Sequence, residues 1–161
     1  MTLINSSCPL DSGLYVITGG WAGKNNTALT GTGVTLYFTC GTMTPSVCAA
    51  AGQVGGSLDM KNGTMGIAAP TSGALAGLAI VYDRGNTATM SLQGNGALTN
   101  VTGAIYAPNS VLDFNGGSLF NVSGGPIILK SATGNGNTGF SITGATSVVT
   151  SQTPATISLD R

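Results

Sequence analysis

Apolar and polar residues alternate along this chain with a period of two, in short runs that each stop at a glycine. The pattern apolar, polar, apolar, polar, Gly reads Met90-Ser91-Leu92-Gln93-Gly94, then Leu112-Asp113-Phe114-Asn115-Gly116, then Phe140-Ser141-Ile142-Thr143-Gly144. Leu58-Asp59-Met60-Lys61-Asn62-Gly63 carries one extra residue before the glycine. Each run predicts a strand with one buried face, closed by a residue that tolerates positive φ. The side chains expected in the core are Met90, Leu92, Leu112, Phe114, Phe140 and Ile142.

A second pattern interleaves with the first, opening on Gly and running into β-branched and aromatic residues. Its members are Gly13-Leu14-Tyr15-Val16-Ile17, Gly33-Val34-Thr35-Leu36-Tyr37-Phe38, Gly77-Leu78-Ala79-Ile80-Val81-Tyr82, Gly103-Ala104-Ile105-Tyr106 and Gly125-Pro126-Ile127-Ile128-Leu129. Val34 and Leu36 join the expected core. Two strand types alternating with a repeat of about 20–25 residues describe one coil of a β-solenoid. The expected fold is therefore all-β, a parallel β-helix of about six coils, on the order of 30 Å long at ~4.8 Å per coil. A β-sandwich is the alternative, because strands spaced roughly 10 residues apart also fit one. Helical periodicity is absent, and each glycine would cost a helix about 1 kcal/mol.

The 22-residue spacing stacks Met90 and Leu92 on Leu112 and Phe114, with Ser91 and Asp113 facing out. Asn62-Gly63, Gly94-Asn95-Gly96, Asn115-Gly116-Gly117 and Gly134-Asn135-Gly136-Asn137 are expected corners. Residues 1–161 read as one domain, with caps at 1–12 and 149–161. The stretch 41–56 breaks the period and reads as an extruded loop.

Composition narrows the function. Of 161 residues 26 are Gly, and Thr, Ser and Asn add 49 more, so nearly half the chain is small or polar-neutral. Five Lys/Arg balance five Asp, with no Glu and no His, which leaves no basic footprint for nucleic acid. The longest apolar run is too short and Gly-rich for a membrane span. No signal peptide follows Met1, so the chain is either cytoplasmic or a fragment of an exported protein, and composition favours the second. Cys40 and Cys48 bracket a short loop that a disulfide would close, worth roughly 2–3 kcal/mol in the chain-entropy model. Two buried free thiols are the alternative, and Cys8 is left over. Three Cys without His give no zinc set.

Catalysis has little to work with. A polysaccharide-cleaving site needs clustered carboxylates, and Asp11, Asp59, Asp83, Asp113 and Asp160 are scattered. Asp59 and Asp113 hold equivalent places, but the coil carrying Ser91 lies between them. Asp83, Arg84 and Asp113 are the one cluster to inspect, although Asp83-Arg84-Gly85-Asn86 reads more simply as a polar corner. Without His or Glu no ordinary base activates the many Ser and Thr. Neither a catalytic residue, nor a metal site, nor a cofactor is expected. Asn25, Asn62, Asn100 and Asn121 sit in N-x-S/T triplets, as expected by chance in this composition. Thr30-Gly31-Thr32, Thr42-Met43-Thr44 and Thr87-Ala88-Thr89 raise the question of ice binding, but their spacing does not put one on every coil.

Gly33 to Tyr37, Ala69-Pro70-Thr71-Ser72-Gly73 through Gly77 to Arg84, and Gly103-Ala104-Ile105-Tyr106-Ala107-Pro108 together resemble the C-terminal region of bacterial TadG-like proteins, associated with Flp (Tad) pilus assembly. The resemblance runs from about Ser12 to the closing Ile157-Ser158-Leu159-Asp160-Arg161. It implies an exported, cell-surface location and supplies no catalytic residues; the membrane-anchored segment typical of such proteins is not in this chain. The right hand of the helix rests on this resemblance and on the general preference for right-handed crossovers. The expected function is a non-enzymatic structural or adhesive surface module, with pilus or envelope proteins or surface glycans as candidate partners. A carbohydrate-binding or polysaccharide-degrading β-helix is the runner-up, and an ice-binding β-solenoid the third reading.

Overall fold

A computed structural model describes residues 1–41, 47–94 and 98–144. Fifteen strands are assigned among them, with no helix, and every pairing between them is parallel. The sandwiches considered above are antiparallel, so the β-sandwich alternative falls. The architecture is solenoid-like: each complete pass of the described chain lays one rung on each of three parallel ladders, and the last described pass reaches two of them.

The first ladder stacks β1 (Thr2–Ile4), β4 (Gly20–Lys24), β7 (Ser57–Lys61), β10 (Met90–Gln93), and then the C-terminal parts of β12 (Ala104–Asn115) and β14 (Ile127–Asn135). The second stacks β2 (Ser7–Leu10), β5 (Ala28–Thr32), β8 (Thr64–Ala68), β11 (Leu98–Thr102), β13 (Leu119–Ser123) and β15 (Gly139–Thr143). The third stacks β3 (Gly13–Ile17), β6 (Val34–Phe38), β9 (Leu78–Tyr82) and the N-terminal parts of β12 and β14. The two long strands β12 and β14 run round the corner from the third ladder to the first, so these two ladders form one sheet.

Register follows the alternation. Met90 pairs with Leu112, Ser91 with Asp113 and Leu92 with Phe114, while Ser91 also pairs with Asp59 on its other side. Met90, Leu92, Leu112, Val34 and Leu36 are buried, and Phe114 is half-buried against the same core. Between the first and second ladders the chain turns at Asn62, Gly94, Gly116 and Gly136, all with positive φ. At Gly116 the need for glycine is twofold: φ is +82°, and a Cβ would sit 3.1 Å from the Gly94 carbonyl oxygen one rung away.

Two core assignments require correction. Phe140 is 41 % exposed and Ile142 is 55 % exposed. Both lie on β15, on the second ladder rather than on that of Met90 and Leu112. Their inward register is right, since they pair with buried Phe120 and Val122. However, β15 is the last described strand of its ladder, and no described strand covers its free side. In the first ladder the final rung is Ala132 and Gly134, paired with Leu112 and Phe114. A Cβ at Gly134 would lie 2.8 Å from the Phe114 ring, which fills that space and stacks on Phe140 at 5.8 Å.

The boundaries also shift. Most of 1–12 is the first coil itself, since β1 and β2 pair within the ladders, rather than a separate cap. Residues 42–46 and the expected cap at 149–161 lie outside the described residues. The remainder of the 41–56 stretch does interrupt the coils, between β6 and β7, and a second interruption, 69–77, separates β8 from β9.

Candidate functional site

The third ladder turns an unusual row of side chains outward. Val16, Tyr37, Val81, Tyr106 and Ile128 lie in register on five successive rungs. On the second ladder the corresponding outward row is Pro9, Thr30, Gly66, Asn100, Asn121 and Ser141. The third ladder thus presents an apolar and aromatic outer face where the second presents small and polar groups. Tyr37, Val81 and Tyr106 are half-buried, with Val47 to Ala51 lining one groove with all three and Leu75 lying beside Tyr37 and Val81; Val16 and Ile128, at the ends, are exposed.

One wall of the resulting groove is the segment from Val47 to Ala51, fastened by a Cys40–Cys48 disulfide with Cα atoms 4.7 Å apart. Cys8 is a free thiol, half-buried in the second ladder beside Leu29. The wall packs so closely on the corner after β9 that a Cβ at Gly85 would come within 2.6 Å of the Cys48 Cβ and 2.7 Å of the Ala50 carbonyl oxygen. Only glycine fits there.

The same corner is held from inside by Asn86, which is fully buried. Its amide nitrogen donates to the carbonyls of Phe38 (3.3 Å) and Gly56 (2.9 Å), and its oxygen accepts from the backbone N–H of Gly55 (2.9 Å) and Ala88 (3.0 Å). All four hydrogen-bonding positions of the side chain are therefore used. Ser110 Oγ donates to the Asn86 carbonyl at 3.0 Å, tying in the next coil.

Within the groove, of about 590 Å³, Tyr37 donates its hydroxyl to Asp83 Oδ2 at 2.8 Å, and Asp83 Oδ1 accepts the Gly85 N–H at 2.8 Å. Burial, reinforced by the Asp83 acceptor and charge, pushes the Tyr37 phenol above its ordinary value. Arg84 Nε donates to the Tyr106 hydroxyl at 2.8 Å, and its guanidinium carbon lies 5.9 Å from that ring's centroid. Asn109 Nδ2 donates to the Arg84 carbonyl.

Of the inspected cluster, Asp83 and Arg84 meet in this groove and Asp113 does not. Asp113 is on the first ladder, accepting from Asn115 Nδ2 (2.8 Å) and Thr133 Oγ1 (3.2 Å). The polar corner expected at 83–86 is a turn closed by the Asn86 N–H on the Asp83 carbonyl at 2.9 Å. Among the described residues no three His, Cys, Asp or Glu groups are placed to hold a metal ion. Thr30 and Thr32 lie on the second ladder, Thr87-Ala88-Thr89 lies in a corner, and Thr42-Met43-Thr44 is outside the described residues.

Nothing in the sequence pattern marks Tyr37, Tyr106, Asn109 or Asn86 as site residues: Tyr37 and Tyr106 read there as strand residues and Asn86 as part of a polar corner. Counting from the opening glycine places Tyr106 with inward Leu36 and Ile80. A register irregularity at the start of the β9–β12 pairing, where Ala104 meets Leu78 but Ile105 meets Ile80, moves it to the outward row. The recurrence of Tyr in the glycine-led pattern is the one signal the sequence carries.

No helix among the described residues is long and apolar enough to cross a membrane. A search of protein-family models, curated proteins and solved structures finds no match to this chain.

Proposed function

We propose that this protein is a non-enzymatic adhesive or structural module at a bacterial surface, built as a right-handed parallel β-helix and belonging to the exported part of a Tad/Flp-pilus-associated protein. The observation that carries the reading is the outward apolar row of the third ladder, which sets a contact surface along a rigid stack. The one carboxylate in the groove lining favours contact over turnover: Asp83 is nearly buried, and its oxygens accept from Tyr37 and the Gly85 N–H. The disulfide fits an oxidising compartment outside the cytoplasm. The right hand follows the general rule for parallel crossovers, and the pilus context rests on the resemblance alone.

The carbohydrate-binding reading stands second, favoured by the two tyrosines in one groove. Ice binding has less support, because the Thr30 row continues as Gly66 and Asn100 rather than as threonines.

The test is localisation of the native protein by surface labelling of intact bacteria, combined with adhesion of beads coated with the full chain. The expected result is surface exposure and bead retention, without release of reducing ends from polysaccharides. A purely cytoplasmic protein, or turnover abolished by Asp83→Ala, would overturn the proposal.

A further inference from the structure

The groove on the third ladder has features that select a ligand class. Tyr37 and Tyr106 stand two rungs apart with Val81 between them. At ~4.8 Å per rung their positions are separated by roughly 10 Å, close to the length of a disaccharide in an extended glycan. Both hydroxyls are already engaged, by Asp83 and by Arg84, so each ring is held in place and offers its hydrocarbon surface. Aromatic surface of this kind packs against the C–H face of a pyranose, and tyrosine gives it at little conformational cost. The groove volume of about 590 Å³ falls in the range of small-ligand sites.

Charge narrows the class. Asp83 lines the groove but is only 9 % exposed, and each of its oxygens already accepts a hydrogen bond, from Tyr37 and from the Gly85 N–H. Arg84 is exposed; its Nε donates to the Tyr106 hydroxyl and its guanidinium carbon lies 5.9 Å from that ring's centroid, while its two terminal amino groups make no hydrogen bond to the described residues. That pair forms an end-on fork for a carboxylate. We infer that this groove binds an extended acidic glycan, a uronate-containing chain with sugar rings on Tyr37 and Tyr106 and a carboxylate on Arg84. The inference rests on the adhesive reading and names its ligand.

The experiment is calorimetric titration of the full chain with oligogalacturonate, oligoalginate and hyaluronan fragments, against neutral cello-oligosaccharides of matched length. Uronate oligomers are expected to bind, more weakly as salt is raised. Tyr106→Ala and Arg84→Gln should each weaken binding by about tenfold or more, with Arg84→Lys partly restoring it. Asn121→Ala, on the second ladder, should leave it unchanged. Circular dichroism of each variant separates lost binding from lost fold. Absence of uronate binding, binding indifferent to Tyr106→Ala and Arg84→Gln in folded protein, or equal affinity for neutral oligomers would overturn the inference. Self-association abolished by Tyr106→Ala would assign the face to a second copy of the chain and overturn it as well. Bead adhesion without uronate binding would remove this inference and leave the adhesive reading standing; uronate binding followed by cleavage would do the reverse.

Discussion

Phe120 and Phe140 face each other in register on adjacent rungs, ring centroids 5.4 Å apart and planes inclined by 24°, yet Phe120 is 1 % exposed and Phe140 is 41 % exposed. Equivalent sequence positions thus differ in energetic weight through their place in the stack. Phe120→Ala should cost about 3–5 kcal/mol, as for a buried aromatic, and Phe140→Ala about half of that or less. Chemical denaturation of both variants measures the difference; equal losses would mean that the end of the stack is covered.

The pairing of Leu92 with Phe114 and of Ser91 with Asp113 supplies a test of register. Leu92→Ala should cost about 2–5 kcal/mol, and Phe114→Ala, only half-buried, about 2–3 kcal/mol. Asp113→Asn keeps an oxygen able to accept from Asn115 and Thr133, so its cost should stay within about 1 kcal/mol. An Asp113→Asn loss exceeding that of Leu92→Ala would contradict the outward placement of position 113.

Asn86 joins β6, the segment before β7 and the corner after β9 through one buried amide. Asn86→Ala removes a partner from four backbone groups, of which the Phe38 carbonyl keeps the Asp83 N–H, and should cost about 3 kcal/mol or more, at about 1–3 kcal/mol for each group left unsatisfied. Limited proteolysis should then cut first between Val47 and Gly56, before the coils open. Protection of that segment in the variant would show that the disulfide alone fixes the groove wall.

Alkaline titration probes the interior. Burial pushes the Tyr82 phenol well above the ordinary tyrosine value, and Tyr37 is raised as well. On raising pH the unfolded chain loses these protons first, at about pH 10. Stability is therefore fully present below about pH 10 and falls as pH rises above it towards the folded-state values. Tyr82→Phe should flatten this alkaline decline, while costing about 1 kcal/mol near neutrality for the hydrogen bond from the Leu58 N–H. Unfolding followed by tyrosinate absorbance checks both effects; an unchanged alkaline slope in Tyr82→Phe would locate the sensitivity elsewhere.

Period-two alternation, the corner residues and the 22-residue spacing were enough to determine parallel stacked strands and the Met90–Leu112 register. These are local properties: a strand's inward face and a positive-φ corner are decided by residues a few positions apart. Which ladder a strand joins is not local. Phe140-Ser141-Ile142-Thr143 has the same alternation as Leu112-Asp113-Phe114-Asn115, yet it lies on the second ladder, while Ala132 and Gly134 take the rung above Leu112 and Phe114. Alternation specifies in or out, and says nothing about which side of the coil faces the viewer. The groove is still less legible. It needs the register irregularity that turns Tyr106 outward, the buried amide of Asn86, and a wall from Val47 to Ala51 laid against Gly85. Each is a contact between residues far apart in the chain, made only once the coils have stacked.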